Sequence, residues 1–123
     1  AYERVLYRWR PDQRIWLAEV GREPVGFLYA TSGPRSGSLH IQQIAIQHDA
    51  RLREYGSALV RVSEQYAEAI QRSGVALRVA SDLEADMFWD SLGYEMVGII
   101  NGGQRRNRIL HQRYKSLQNG LWR

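Results

Sequence analysis

A short basic stretch that follows a run of apolar residues has the clearest potential for chemistry. Arg51 and Arg53 precede Gly56 and Ser57, and the apolar spacing of an amphipathic helix begins at Ser57. The first turn of a helix has unpaired backbone N–H groups and partial positive charge, and glycine lets another group come close to the backbone. A strand, a basic loop and a helix start in this order can bind a pyrophosphate.

His40 lies inside the apolar run 39–46, which is predicted to be a strand. A histidine can accept a proton near neutral pH, so a general base is one interpretation of this residue. The alternative is a strand histidine that is hydrogen-bonded to a neighbour, and both interpretations stay open. His111, among arginines on the last predicted strand, is expected to be structural or to face the substrate.

The elements that must position these residues follow from hydrophobic periodicity and turn residues. Strands are predicted at 15–20, 25–31, 39–46, 75–80, 94–100 and 108–114, and the first helix at 57–72. A second helix opens with the capping-box spacing of Ser81 and Glu84 and ends before Gly93. The order predicts an α+β fold, of an α/β-type three-layer form, with a mixed and mostly antiparallel sheet, a central parallel strand pair and helices on both faces.

Length and composition limit the classes of function. A chain of 123 residues is predicted to form a single domain at 1–123, with an abbreviated N-terminal segment at 1–14 and a basic C-terminal strand and tail at 101–123. The absence of cysteine excludes disulfides, thiolate metal sites and a cysteine nucleophile, and no metal is expected. Neither a membrane helix nor a signal peptide is recognised, so a cytoplasmic protein without a membrane partner is expected.

The positive charge is concentrated at the C-terminus. Residues 101–123 contain no acidic residue and carry six cations: Arg105, Arg106, Arg108, Arg113, Lys115 and Arg123. Such a cluster could contact the phosphates of a cofactor, an acidic protein or nucleic acid, because all three are polyanions. A solvated basic edge on the sheet is an equally consistent interpretation.

The segment 44–60 resembles the acetyl-CoA signature of GNAT acetyltransferases. In that signature a strand leads through Arg or Gln, two residues, Gly, one residue and Gly or Ala into a long helix. Arg51 and Gly56 fall on its first and last positions, whereas Glu54 takes the place of its first glycine. A second register begins at Arg53 and fits the motif with a loop two residues longer. Both registers predict that Gly56 lies in the loop.

A second segment, 85–95, resembles the later part of the family, where Asn-x-x-Ala is followed by an aromatic pair and Gly-Phe. Asp82 replaces the usual Asn, and Trp89 replaces a tyrosine that in many members protonates the departing thiolate. Trp89 cannot be that general acid, because an indole N–H does not ionise usefully. The resemblance spans about 15–117 and lacks the family's N-terminal strand and two helices.

The resemblance implies transfer of an acetyl group from acetyl-CoA to a primary amine, by direct attack within a ternary complex. It implies that His40 is at the position of a catalytic glutamate. Backbone amides of Ile44, Ala45 and Ile46 would hold the pantetheine arm and polarise the thioester carbonyl. The further coenzyme contacts that it implies are Arg51, Arg53, Tyr55, Gly56, Ser57, Asp82, Phe88 and Trp89.

Two other functions stay open. Glu54 and Trp89 favour a GNAT-like module that no longer catalyses and serves in binding or regulation. The basic C-terminal edge favours a nucleic-acid-associated modification protein. Because the missing helices commonly wall the acceptor site in this family, the segment 1–11 or a second subunit would have to complete it, and a homodimer is expected.

Overall fold

The computed structural model describes residues 2–7, 13–32, 37–47, 53–101 and 109–117. These residues form seven strands and two helices. In chain order the elements are β1 (Tyr2–Tyr7), β2 (Gln13–Val20), β3 (Glu23–Thr31), β4 (Ser38–Ile46), α1 (Arg53–Ala69), β5 (Gly74–Ala80), α2 (Leu83–Ser91), β6 (Glu95–Asn101) and β7 (Ile109–Ser116).

The strands form one mixed sheet in the order β1-β2-β3-β4-β5-β7-β6. β4 and β5 are parallel, and each of the other neighbouring pairs is antiparallel. A parallel pair needs a crossover connection, and α1 provides it between β4 and β5. The α+β fold with a mostly antiparallel sheet and a central parallel pair is therefore confirmed.

Both helices lie on the same face of this sheet. His111, Arg113 and Lys115 alternate along β7, so their side chains share one face. His111 and Arg113 contact Asp86 of α2, whereas Lys115 contacts Glu64 of α1. The structure thus differs from the expected placement of helices on both faces. Right-handed crossovers that progress along the sheet in one direction put their helices on one side.

The first strand was missed by the sequence analysis. β1 pairs antiparallel with β2, with Tyr2 opposite Glu19, and forms one edge of the sheet. The expectation that the N-terminal strand is absent is therefore wrong. Glu3 and Arg4 are adjacent in this strand, so the polar and apolar alternation that marks a half-buried strand is not visible in the sequence.

The remaining strands agree with prediction to within two residues, but the helix starts differ. α1 begins at Arg53 rather than Ser57, and α2 is capped by Asp82 rather than Ser81. Gly93 adopts a φ of 87° directly after α2, as a residue that closes a helix must. The N-cap thus lies one residue later than predicted, and the predicted capping box does not form, because the third residue after Asp82 is Ala85.

The core lies between the sheet and the two helices. Trp16 of β2 is 1% exposed, and its ring packs edge-on against Tyr66 of α1 with centroids 5.4 Å apart. Leu28 of β3, Leu59 of α1 and Val75 of β5 are fully buried in the same cluster. This cluster holds α1 across the centre of the sheet.

Candidate functional site

The central strands β4 and β5 separate halfway along their length. Within the described residues they pair only over 38–41 of β4 and 74–77 of β5. β4 nevertheless continues to Ile46 and β5 to Ala80. A cleft therefore opens between the carboxyl ends of the two parallel strands, and this cleft is called the β4–β5 opening below.

A β-bulge in β4 accounts for the separation. Ala30 of β3 pairs with Ile41 and Tyr29 pairs with Gln43, so Gln42 is an extra residue in β4. A bulge of this kind bends its strand and increases the local twist. The part of β4 beyond Gln42 is thereby directed away from β5.

The backbone of β4 presents groups to the opening that have no strand partner among the described residues. The Gln47 N–H donates to the Val25 carbonyl at 2.8 Å, so Gln47 is hydrogen-bonded to β3. Because hydrogen-bonded positions alternate in an antiparallel pair, Ala45 also faces β3. The N–H and C=O groups of Ile44 and Ile46 consequently point away from β3 and into the opening.

The N-terminal turn of α1 lies at the same end of the sheet, because α1 follows the carboxyl end of β4. Gly56 is buried in this turn, and a Cβ added there would lie 3.5 Å from the side chains of both Ile46 and Phe88. The prediction that Gly56 lies in the loop is wrong. Glu54, which is exposed in the first turn, favours an early helix start because an acidic residue there stabilises the helix dipole.

α2 packs beside this turn. The Asp82 carboxylate accepts a hydrogen bond from the Ala85 N–H at 3.0 Å and so caps the helix. Half-buried Phe88 faces Gly56. Trp89 is 2% exposed, and its ring centroid lies 5.0 Å from that of Phe88 and 5.0 Å from that of Tyr94. Trp89 therefore belongs to the core, and its predicted contact with coenzyme stays a prediction.

His40 lies on the other face of the sheet. Leu39 and Ile41 are buried toward the helices, so the exposed His40 between them points to the helix-free side of β4. It pairs with Thr31 of β3 and Ala76 of β5, one residue before the β4–β5 opening begins. Its predicted role as a base is not tested by this placement.

The other predicted coenzyme contacts are divided between the opening and the start of α1. Half-buried residues are Ile44, Ile46, Tyr55 and Ser57, and Ala45 is exposed. Arg53 is the first residue of α1. Arg51 lies outside the described residues. The structure thus brings Ile46, Gly56 and Phe88 together, whereas His40 is on the opposite face.

Arg113 is the centre of a polar network that the sequence analysis missed. Its side chain is 2% exposed and donates to Asp86 at 3.0 Å, to Asp90 and to the Tyr94 carbonyl at 2.9 Å. Burial alone would lower the pKa of Arg113, but its bonds to Asp90 and Asp86 outweigh burial and raise it. Arg113 therefore stays charged and ties α2 to β7.

His111 and Asp86 extend this network. The His111 Nδ1 lies 2.9 Å from an Asp86 carboxylate oxygen, and His111 is 9% exposed. Hydrogen bonds from His111 and then Arg113 hold the pKa of Asp86 below its usual value. These contacts support the structural interpretation of His111 rather than a substrate-facing one.

A second network ties α1 to β7. The Tyr94 hydroxyl donates to Glu64 at 2.7 Å, and the Lys115 Nζ lies 3.2 Å from the same carboxylate oxygen. Burial, reinforced by the negative charge of Glu64, raises the pKa of the Tyr94 phenol. Arg113 is thus paired inside the protein and the partly exposed Lys115 is paired with Glu64, which disfavours the interpretation that these two residues contribute to a basic binding edge. The remaining cations of 101–123 lie outside the described residues.

In the part of the chain that the structure describes, no group of three or more metal-ligating side chains could hold a metal ion. Neither described helix is both long and apolar enough to cross a membrane.

Comparison with known proteins identifies the family. The model of the Acetyltransferase (GNAT) family matches residues 1–94, which is most of the chain. No curated protein sequence matches it.

Solved structures share its fold at low sequence identity. The aminoglycoside 6'-N-acetyltransferase from Enterococcus faecium is 16% identical with a TM-score of 0.79, over 92% of this chain and 77% of that one. Nourseothricin acetyltransferase is 17% identical with a TM-score of 0.80, over 88% and 67%. An aminoglycoside 6'-N-acetyltransferase complexed with coenzyme A is 16% identical with a TM-score of 0.76, over 90% and 76%. The chain belongs to the GNAT acetyltransferase family.

Proposed function

We propose that this chain is an N-acetyltransferase that binds acetyl-CoA in the β4–β5 opening and transfers the acetyl group to a primary amine. The unpaired backbone edge of β4 at Ile44 and Ile46 carries the proposal. The pantetheine arm of coenzyme A contains amide groups, so it can hydrogen-bond to a free strand edge as an added strand would. The relative solved with coenzyme A has the same fold, which supports this assignment.

The proposed reaction is a direct transfer. The lone pair of the acceptor amine attacks the thioester carbonyl carbon, a C–N bond forms, the C–S bond breaks and coenzyme A leaves as a thiolate. The amine loses one proton, and His40 is the proposed base, acting directly or through water. A backbone N–H of β4 would stabilise negative charge on the carbonyl oxygen. The thiolate takes its proton from solvent, because the buried indole of Trp89 does not ionise.

The start of α1 is the proposed site for the coenzyme pyrophosphate. Its first turn has unpaired N–H groups and the positive end of the helix dipole. Glu54 is exposed at this turn, so its carboxylate can remain hydrated. Contacts from Arg51 and Arg53 to the phosphates stay predictions.

Calorimetric titration with acetyl-CoA tests the proposed site. The variant Ile46→Pro removes an N–H that faces the opening without removing a hydrogen bond to β3. Ile46→Val keeps this N–H and is the matched control for the shortened side chain. We expect a Kd in the micromolar range for the parent, at least about tenfold weaker binding for Ile46→Pro and at most about twofold for Ile46→Val. No binding by a folded parent would refute the proposal.

An assay for the free coenzyme A thiol, run with acetyl-CoA and a panel of amines, distinguishes an enzyme from a binding module. We expect acetyl-CoA-dependent release that His40→Gln lowers by about 100-fold or more in kcat/KM, the usual contribution of a general base. Coenzyme binding with no release for any amine would favour the inactive module instead. An unchanged rate in His40→Gln would remove this residue from the mechanism.

Two further predictions concern partners. A nucleic-acid partner would bind at low salt and lose affinity steeply as salt increases, and the absence of binding at low salt would exclude it. The pairing of Arg113 and Lys115 with carboxylates weakens this alternative, because Arg113 is buried and the charge of the partly exposed Lys115 is compensated by Glu64. The predicted homodimer is tested by light scattering at tens of micromolar protein, where a monomer would count against it.

A further inference from the structure

We propose that Arg78 selects acceptor amines that also carry an anionic group, either a carboxylate or a phosphate. The inference rests on the proposed acetyl transfer in the β4–β5 opening, and it assigns to Arg78 the recognition of the acceptor.

Arg78 lies at the point where the opening begins. Pairing between β4 and β5 ends at Leu77, so Arg78 is the first residue of β5 beyond the paired region. Val75 and Leu77 are buried toward the helices, at 0% and 7% exposure, and alternation directs Ala76 and Arg78 to the opposite face. Arg78 is exposed on that face.

His40 shares this face with Arg78. His40 pairs in register with Ala76, and side chains of paired residues in neighbouring strands point to the same side. Strand spacing and rise place the Cα positions of His40 and Arg78 about 8 Å apart. The proposed base and the guanidinium therefore both lie where the opening begins, at a separation that an acceptor with an amine and an anion a few bonds apart can bridge.

The acceptor would approach from this face, because α1 and α2 cover the other one. On the covered side Gly56 lies between the side chains of Ile46 and Phe88, and a Cβ added there would lie 3.5 Å from both. On the helix-free face the residues near the opening are exposed, including Ala45 and His40. An amine that reaches a thioester in the opening thus passes Arg78.

The charge of Arg78 is not compensated within the described residues. Its in-register neighbour on β7 is the neutral Gln112, and Ala76 and Ala80 flank it on β5. Arg113 lies on the face of the sheet that the two helices cover, and it has Asp86 and Asp90 as partners. A guanidinium without a carboxylate partner, fixed on a strand beside a cleft, suits bidentate recognition of a carboxylate or phosphate.

Matched pairs of acceptors test this inference. Arginine and agmatine differ by a carboxylate, and phosphoethanolamine and ethanolamine differ by a phosphate. We expect the parent to prefer the anionic member of at least one pair by about tenfold or more in kcat/KM. Arg78→Met should abolish this preference mainly through KM, and Arg78→Lys should retain part of it because it keeps the charge without the planar fork.

Arg61→Met is the control, because Arg61 is an exposed arginine on α1, on the covered side of the sheet. It should leave the preference unchanged. If the parent acetylates neither pair, the same comparison is made by calorimetric titration of the coenzyme A-bound protein with the four amines. Preference for one pair alone identifies the anion as carboxylate or phosphate.

The inference is overturned if the parent treats the two members of both pairs alike, or if Arg78→Met keeps the preference. Acetyl-CoA titration of the same preparation separates the two proposals. Normal acetyl-CoA binding with no discrimination between acceptors refutes only the role of Arg78, whereas absence of acetyl-CoA binding refutes the proposed function as well.

Discussion

The two faces of the sheet use their charged residues differently. On the covered face, Arg113 and Lys115 are paired with carboxylates of α2 and α1 and hold these helices against β7. On the helix-free face, His40 and Arg78 are exposed beside the β4–β5 opening. A strand arginine is thus paired with carboxylates on one face and exposed to solvent on the other.

This difference follows from what each face is packed against. A buried charge needs a partner, because its desolvation is otherwise too costly. Asp86 and Asp90 of α2 supply that partner for Arg113, so the helix and the strand are specified together. An exposed charge has no such requirement, and its place in the chain can be set by function instead.

Removal of the buried arginine should produce the largest loss of stability. We expect Arg113→Met to lower the free energy of unfolding by about 2–3 kcal/mol, because it removes charge-assisted hydrogen bonds to two carboxylates and a buried carbonyl. Arg78→Met, the matched substitution on the other face, should change it by less than about 0.5 kcal/mol. Urea unfolding measures both, and equal losses would contradict the comparison.

Removal of the Tyr94 hydroxyl should have a smaller effect. Tyr94→Phe keeps the buried ring but leaves Glu64 with Lys115 as its partner. In urea unfolding we expect the free energy of unfolding to fall by about 1–1.5 kcal/mol, which is the contribution of one hydrogen bond to a charged group. A variant as stable as the parent would show that this bond does not hold α1 to β7.

The N-cap of α2 should contribute about 1 kcal/mol to the free energy of unfolding. Asp82→Ala removes the acceptor of the Ala85 N–H, whereas Asp82→Asn keeps an acceptor of similar capping strength. We expect only the alanine variant to lower the melting temperature. This equivalence also explains why Asp82 can replace the asparagine of the family pattern without disturbing the helix.

The pH dependence of stability should show the smallest effect, because Asp86 is partly exposed and its interactions are screened. Its pKa is lowered by His111 and Arg113, so it stabilises the folded state above the unfolded-state pKa. This contribution is lost as the pH falls through the lower folded-state pKa. Between pH 6 and pH 3 the free energy of unfolding should therefore depend less on pH in Asp86→Asn than in the parent. An equal pH dependence in the two proteins would contradict the assignment.

Much of the fold could be predicted from local sequence patterns. The core-facing residues of β4 are Leu39, Ile41, Ile44 and Ile46, and the change of spacing between Ile41 and Ile44 is the mark of the bulge in the sequence. Gln42 and Gln43 fall in this gap, but periodicity alone does not identify a bulge there. The apolar face of α2 can be read from helical spacing, because Ala85, Phe88, Trp89 and Leu92 recur at spacings of three and four and all pack in the core.

The networks of charged residues could not be predicted in the same way. Arg113 is separated by 23 residues from Asp90 and by 27 residues from Asp86. Sequence spacing does not show which helix packs against which strand. For the same reason the sequence could not separate Arg78 from Arg113, although the two have different surroundings. For Arg113 and Lys115, charge near the C-terminus consequently suggested a binding edge, whereas the structure pairs both side chains with carboxylates of the helices.

The most direct test of the central claim is amide hydrogen exchange of β4 with and without acetyl-CoA. The Ile44 and Ile46 amides face the β4–β5 opening, whereas those of Ala45 and Gln47 face β3 and serve as internal references. We predict rapid exchange at Ile44 and Ile46 in the free protein, marked slowing on addition of acetyl-CoA, and protection at Ala45 and Gln47 throughout. Exchange at Ile44 and Ile46 that acetyl-CoA leaves unchanged would contradict the account.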